Sequence, residues 1–326
     1  VFPQVFLHQR LRKEPTHSKP RLLKFKYWFI NFFSNNLPIV KEVDFSSDTT
    51  QPLISEVYLN NTCDLGCVYC TAELSSKINA ELITHGRNSA GEIPIVKFDK
   101  QAAYTEKYLY WLNNNYTSLR RLSILGGEPL LQKEFWRLLA NAKDLKNPKL
   151  ELSINTNLNA SFETVQRLVE TAKFLVKNQN VKRFDIICSL DCWGPQSELV
   201  RYGLDLEKWQ QNFEYLLRHK WLYVSVLHVV SSLTIKTMPD LQQIIAKYKN
   251  QGHRITQEYH LVTGKVAEDL YHPLAFGSEF FKEQLANLEE TYPITEVWDT
   301  EAKKRLTGIS KFLTAGNLPP DTNRLV

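Results

Sequence analysis

From residue 53 onward, short strand-like apolar segments alternate with longer amphipathic ones. Alternation with a period of two is typical of strands, and apolar residues every three or four positions are typical of helices. The pattern predicts six strands, over residues 53–60, 120–127, 149–157, 183–191, 222–232 and 254–262. It predicts helices over 100–115, 132–144, 161–178, 205–220 and 238–252, and a short accessory strand over 94–98. Ser161 is a plausible N-cap for its helix.

Strands that alternate with helices imply right-handed βαβ crossovers and a parallel sheet, so we expect an α/β fold. Six such units form either an open doubly wound sheet or a partial (β/α)6 TIM-like barrel, and periodicity does not choose between them. In both architectures ligands bind at the carboxyl ends of the strands.

The two ends of the chain lack this alternation of strands and helices. Residues 1–50 show no sustained period beyond one short helix near 22–33, and 264–326 suggest one or two helices with a polar end. We therefore divide the chain into a basic and aromatic N-terminal extension (1–50), a core (51–263) and a C-terminal helical extension (264–326). Because Val1 is not a methionine and no capping element follows the last helix, we expect both ends to be truncated.

Composition and charge narrow the class of protein. Hydrophobic residues make up 43% and charged residues 23%, as in soluble globular proteins. Seven of the 40 basic residues lie within residues 1–26 beside one acid, so the remaining chain is nearly neutral and does not resemble a nucleic-acid binder. This basic arm is either solvated or binds a partner. No apolar run approaches the ~20 residues of a membrane helix, and five cysteines suit a reducing, cytoplasmic setting.

Three of the five cysteines, Cys63, Cys67 and Cys70, lie within eight residues in a polar loop after the first strand. The loop has no core periodicity, which disfavours a simple core role. A structural zinc site needs four ligands, usually in paired CxxC motifs, and the fourth here would be a distant histidine. Three thiolates can instead hold a cubane iron–sulfur cluster whose fourth iron is left open for a ligand.

The spacing Cys-x3-Cys-x2-Cys, with the aromatic Tyr69 before the last cysteine, resembles the signature of the radical S-adenosylmethionine superfamily. The resemblance covers residues 53–262. It implies a [4Fe–4S] cluster held by Cys63, Cys67 and Cys70, whose unique iron chelates the amino and carboxylate groups of S-adenosylmethionine. It also implies a (β/α)6 partial barrel with the cysteine loop after the first strand.

Two strand ends carry further motifs of this superfamily. The turn formed by Gly126, Gly127 and Glu128 with the proline that follows resembles the GGEP motif, which implies contact with the cofactor's amino group. On its own such a turn is a weak signal. Asn155 and Asn157 end the third strand, where the resemblance implies the ribose and substrate cavity, although turn formation alone would also explain them.

The fourth strand ends with Ser189 and Asp191, and Arg201 follows Ser189 by 12 residues. This segment is similar to the peptide-modifying branch of the superfamily, in which the Ser and the Arg contact the cofactor's ribose and carboxylate. A surface ion pair is the alternative for Arg201. The family has Gly after the Asp, where this chain has Cys192, so the path of the loop is expected to differ.

Cys188 and Cys192 complete the cysteine count, and no cysteine follows residue 192. We expect a buried thiol for Cys188 and a cavity-lining thiol for Cys192, with membership of a second cluster as the alternative. The amino-acid sequence of these motifs most resembles that of the twitch-domain-containing radical S-adenosylmethionine proteins. A twitch domain would normally carry cluster cysteines, and the chain lacks them after Cys192.

The resemblance implies an enzyme that cleaves S-adenosylmethionine reductively, with an electron from a flavodoxin- or ferredoxin-type donor, to a 5′-deoxyadenosyl radical. That radical abstracts hydrogen from a substrate, which we expect to be a peptide or protein side chain. A nucleotide or RNA base is the alternative substrate, and a metal-stabilised binding module is the non-enzyme alternative. Polar residues late in the chain either line the cavity or are buried and satisfied; these are His228, Gln257, Tyr259 and His260.

Overall fold

The computed structural model describes residues 52–85, 101–262 and 271–315. The predicted arm at 1–50 and the accessory strand at 94–98 lie outside these ranges. Within them the strands are β1 (Ile54–Tyr58), β2 (Gly66–Cys67), β3 (Arg121–Leu125), β4 (Glu151–Thr156), β5 (Arg183–Ser189), β6 (Arg201–Tyr202), β7 (Tyr223–Val230) and β8 (Ile255–Leu261).

The α-helices of the described ranges are α1 (Ser76–His85), α2 (Gln101–Asn115), α3 (Lys133–Ala142), α4 (Phe162–Lys177), α5 (Pro195–Val200), α6 (Leu206–Leu217), α7 (Met238–Asn250), α8 (Lys282–Glu290) and α9 (Val297–Thr314). Ser161 caps α4 as predicted, because its side chain accepts from the backbone N–H of Thr164. Among the described residues, none of the helices combines the length and the hydrophobicity that spanning a bilayer requires.

The six longer strands form one parallel sheet in the order β1-β3-β4-β5-β7-β8. The order follows the chain without a reversal, whereas a doubly wound sheet requires one. Right-handed crossovers that always advance in one direction place their helices on one face of the sheet. The predicted α/β class is therefore confirmed and the doubly wound alternative is excluded. Within the described residues β1 and β8 do not pair, so the barrel-like sheet is open.

The two faces of the sheet differ in chemistry. One face packs on the helices and is apolar, with side chains that are almost fully buried: Leu122, Ile124, Leu152, Ile154, Phe184, Ile186, Val224 and Val226. Alternate positions of the same strands carry the opposite, polar face: Glu56, Ser123, Ser153, Asn155, Asp185, Ser189, Ser225 and Glu258. All six strands end at the same edge, where both faces meet the loops.

A second core joins α8 and α9 to α7 and β8, through residues that include Leu285, Leu288 and Leu306. An ion pair between Lys249 of α7 and Asp299 of α9 lies within it, and both side chains are almost completely buried. The described part of the C-terminal extension thus packs on the last βα unit.

Four elements were not predicted from the sequence, and each is too short or too weakly patterned to give a period. Helix α1 has no fully buried side chain, and α5 has six residues after Gly194, whose φ is +81°. Strands β2 and β6 have two residues each and pair with one another in an antiparallel ladder.

Candidate cluster and cofactor site

The cysteine loop lies between β1 and α1, at the carboxyl edge of the parallel sheet. Cys67 is buried, Cys63 and Cys70 are half-buried, and all three are free thiols. Two serines before or at the start of α1 hold the loop: Ser75 donates to the Leu65 carbonyl at 2.8 Å, and the Cys63 N–H donates to Ser76 Oγ at 3.1 Å. The loop is therefore fixed to the helix that follows it.

The ladder of β2 and β6 fixes the middle of the loop. Cys67 pairs with Arg201, and the adjacent Val68 N–H donates to the Val200 carbonyl at 2.9 Å. Residues directly opposite each other in an antiparallel pair present their side chains on the same face. The ladder thus explains why the predicted Arg201 lies beside a predicted cluster cysteine 134 positions away in sequence.

The glycine turn packs directly on the start of the loop. A Cβ at Gly127 would lie 2.3 Å from the Thr62 carbonyl oxygen, and one at Gly126, whose φ is +127°, would lie 2.7 Å from the Asn60 oxygen. The close approach allows the Gly127 N–H to donate to Asn60 at 3.1 Å and the Glu128 N–H to donate to Thr62 at 2.6 Å. Glycine is required here by contact with protein backbone, whatever ligand the turn also meets.

Glu128 is only 1% exposed, and its carboxylate already accepts three hydrogen bonds. They come from the backbone N–H of Leu130 at 3.0 Å, the Thr156 hydroxyl at 2.8 Å and the backbone N–H of Asn157 at 2.6 Å. Burial raises the pKa of Glu128 to about 7, against the opposing effect of these donors. A carboxylate has about four acceptor positions, so one remains beyond these three.

Asp64, between the first two cysteines, is a site residue that sequence reasoning missed. Its two carboxylate oxygens accept from the side-chain amides of Asn157 at 2.8 Å and Asn159 at 2.7 Å. The Asn157 amide also lies 4.0 Å from the sulfur of Cys63. The cysteine loop is thereby tied to the end of β4, and Asn157 functions as a loop anchor. The position of Asp64 inside the cysteine motif is the signal that could have identified it.

The buried Asp191 and Arg201 and the half-buried Tyr69 form one cluster beside Cys67. The Arg201 guanidinium donates through Nε and Nη2 to the two oxygens of Asp191, at 3.0 and 2.8 Å, and the Tyr69 hydroxyl donates to the same carboxylate at 2.6 Å. The third guanidinium nitrogen, Nη1, is 3.9 Å from the Cys67 sulfur. The alternative of a surface ion pair is wrong, because Arg201 is 6% and Asp191 1% exposed.

The three thiols are close enough to influence each other electrostatically. Burial raises the pKa of Cys63 and Cys67 to about 12 and that of Cys70 to about 11, and the neighbouring thiolates raise all three further. At neutral pH the thiols of the metal-free chain are protonated, and metal binding must displace those protons. Three soft donors in one loop fit a [4Fe–4S] cluster, in which each thiolate would ligate a different iron.

Among the described residues, no three His, Cys, Asp or Glu side chains converge as the ligands of a single ion would.

Ser189 and Asn155 lie at the ends of neighbouring strands on the polar face, where both are half-buried. Neither side chain makes a hydrogen bond to another described residue, which distinguishes them from Glu128 and Arg201. These two side chains are thus available to a ligand at the sheet edge.

The four polar residues predicted late in the chain lie on different faces of the parallel sheet. His228, Gln257 and Tyr259 are buried on the helix side. The centroid of the His228 ring lies 4.7 Å from that of the Tyr259 ring, which is tilted against it, and His228 Nδ1 contacts the Leu190 carbonyl at 2.7 Å. His260 lies on the opposite face, 3.9 Å from Glu258. Only His260 of this set lies on the polar face.

The two remaining cysteines are both fully buried, as expected for Cys188. Cys192 packs in the second core with Val230 and Met238, so the prediction that its thiol lines the cavity is wrong.

No protein-family model matches the chain. Similar curated proteins include two probable GTP 3′,8-cyclases. That of Methanocaldococcus jannaschii is 24% identical over 189 residues, 57% of this chain and 53% of that protein. That of Methanococcus aeolicus is 24% identical over 186 residues, 57% of this chain and 52% of that protein. The chain thus spans about half the length of the curated relatives it matches.

Two solved structures are also similar to part of this chain. Native anSMEcpe with bound AdoMet is 21% identical, with a TM-score of 0.45 over 73% of this chain and 60% of that one. Streptococcus suis SuiB bound to the precursor peptide SuiA is 15% identical, with a TM-score of 0.44 over 79% of this chain and 48% of that one.

Proposed function

We propose that the chain is an enzyme of the radical S-adenosylmethionine superfamily, that it binds a [4Fe–4S] cluster through Cys63, Cys67 and Cys70, and that it cleaves S-adenosylmethionine reductively. When bound, the cluster and S-adenosylmethionine supply a 5′-deoxyadenosyl radical that abstracts hydrogen from a substrate. One observation carries the proposal: three free thiols share a loop that the ends of β3, β4 and β6 hold at the carboxyl edge of the sheet.

The chain's own residues prepare this site in several ways. The hydrogen bonds from Asn157 to Asp64 and Cys63, and from Arg201 to Cys67, hold the loop around the first two cysteines. Glu128 keeps one acceptor position, which suits the ammonium of the cofactor. Ser189 and Asn155, without protein partners among the described residues, are the hydroxyl and amide best placed for the ribose.

A peptide or protein side chain is the proposed substrate. The support is the similarity of the segment from Ser189 to Arg201 to the peptide-modifying branch of the superfamily. The polar face of the open sheet, with Glu56 and Glu258 on its two edge strands, offers hydrogen-bonding groups to such a substrate. We also propose a cytoplasmic enzyme that receives its electron from a flavodoxin- or ferredoxin-type donor.

A nucleotide is the second candidate substrate, because both curated relatives are named as probable GTP 3′,8-cyclases. The low identity and the half-length overlap leave the peptide proposal first. Incubation of the reduced enzyme with GTP separates the two, since a cyclised nucleotide product would favour the second candidate.

The experiment for the proposed activity is anaerobic reconstitution followed by dithionite and S-adenosylmethionine. We expect release of 5′-deoxyadenosine by the wild type and none by Cys67→Ala. Cys188→Ala is the matched control, because this thiol is also buried but packs in the core among the helices. Retained cleavage in Cys67→Ala, or no cleavage by a wild type that has taken up iron, would contradict the proposal.

A further inference from the structure

Arg201 uses its guanidinium in a way that the sequence motif does not indicate. Two of its nitrogens, Nε and Nη2, are bound in fork geometry by the two oxygens of Asp191. The remaining Nη1 lies 3.9 Å from the sulfur of Cys67, within the range of an N–H···S hydrogen bond. In the described structure the guanidinium is therefore shared between a carboxylate and a predicted cluster ligand.

The surroundings hold this arrangement in place. Asp191 also accepts from the Tyr69 hydroxyl at 2.6 Å and from the Val229 backbone N–H at 2.9 Å, so four donors fix its carboxylate. The backbone of Arg201 pairs with that of Cys67, which gives the guanidinium and the sulfur a common face. To bind another carboxylate, Arg201 would have to leave Asp191 buried with fewer partners, which is costly.

We propose that Arg201 is a positioning residue for the cluster rather than a ligand of the cofactor's carboxylate. Asp191 aims the guanidinium at the Cys67 sulfur, and the N–H···S contact stabilises the extra negative charge of the reduced cluster. Hydrogen bonds to cluster sulfurs are among the factors that set reduction potentials. The inference rests on the proposed function, because it needs a cluster at Cys67.

The test measures two quantities on the reconstituted protein: the midpoint potential by redox titration followed by electron paramagnetic resonance, and the Kd for S-adenosylmethionine by equilibrium dialysis. We expect Arg201→Gln to shift the potential to a more negative value and to leave Kd within error of the wild type. Arg201→Lys keeps the charge but not the fork, so its shift should be smaller. Arg254→Gln, at an arginine whose side chain is 68% exposed, is the control and should change neither quantity.

An unchanged potential together with weaker cofactor binding in Arg201→Gln would overturn the inference and support the carboxylate contact that the motif implies. If the Arg201 variants do not take up a cluster, the midpoint potential of Tyr69→Phe tests the inference instead. It removes one donor from Asp191 and should shift the potential in the same direction by a smaller amount; no shift would overturn the inference. A wild type that takes up no cluster would instead contradict the proposed function itself.

Discussion

Glu128 is the residue whose hydrogen-bond partners in the structure add most to the role that the sequence motif implies. The motif identifies a carboxylate for a cofactor's ammonium, and the structure describes a buried group that already accepts from Leu130, Thr156 and Asn157. The residue type follows from the sequence. Its partners do not, because they lie on β4 and the turn, and only the folded chain brings these together.

The raised pKa of Glu128, about 7, predicts a pH-dependent stability. A carboxyl whose folded pKa lies above its ordinary 4.5 stabilises the fold fully below that value and loses this contribution as the pH rises to about 7. Between pH 4.5 and 7.5 the metal-free wild type should therefore lose about 1–3 kcal/mol relative to Glu128→Gln. Urea unfolding of both proteins at several pH values measures the difference; parallel pH profiles would contradict the prediction.

Gly127 gives a second prediction at this scale. Gly127→Ala places a Cβ 2.3 Å from the Thr62 oxygen, so the turn or the cysteine loop must move, at a cost of about 1–3 kcal/mol. Gly308→Ala in α9 is the matched control, because its Cβ enters open space and alanine favours a helix. Thermal unfolding should show a lower Tm for Gly127→Ala and an equal or higher one for Gly308→Ala. Equal behaviour of the two variants would refute the packing role of the turn.

Among the elements, the longer strands and helices were predictable because each buries one face and so repeats in the sequence. The β2–β6 ladder was not, since two residues in each strand carry no period and the pairing joins Cys67 to a residue 134 positions away. Asp64 and Asn159 were missed for a related reason, and Asn157 was predicted as a turn former or a residue of the ribose and substrate cavity, not as an anchor of the loop. Short polar side chains are common in turns, and only the folded chain brings these three together.

The asparagine anchors predict that the cysteine loop loosens without Asp64. Asp64→Ala removes the acceptor of both the Asn157 and the Asn159 amides. Hydrogen–deuterium exchange should become faster over residues 61–70 while β4 and β5 keep their protection. Asp144→Ala, at an exposed position just after the end of α3, is the control and should leave the loop unchanged. Unaltered exchange of the loop in Asp64→Ala would show that the other contacts suffice.

For the molecule as a whole, the βα rhythm predicted a parallel α/β sheet but left two architectures open. The choice between them is a matter of strand order, which is a tertiary property, and the unreversed order of the six strands decides it. The superfamily resemblance implied the same open barrel. The packing of α8 and α9 on α7 and β8 had no such signal, because their contacts depend on the second core.

The buried ion pair of Lys249 and Asp299 is expected to contribute to the unfolding free energy through the second core. Lys249→Met leaves Asp299 buried with a lost counter-charge, which should cost about 3–5 kcal/mol of unfolding free energy. Lys304→Met breaks a pair with Glu301 in which both side chains are more than 60% exposed, and little change is expected. Urea denaturation of the two variants measures the contrast. A small loss in Lys249→Met would mean that the apolar contacts alone hold α9.

The most direct test of the central claim is a metal and sulfide analysis of the anaerobically reconstituted chain, with its electron paramagnetic resonance spectrum before and after S-adenosylmethionine is added. A cluster at Cys63, Cys67 and Cys70 predicts a brown protein with about four irons and four sulfides per chain. It also predicts a reduced-state spectrum that changes when the cofactor reaches the open iron. A colourless protein that carries zinc, or a cluster spectrum indifferent to the cofactor, would contradict the account.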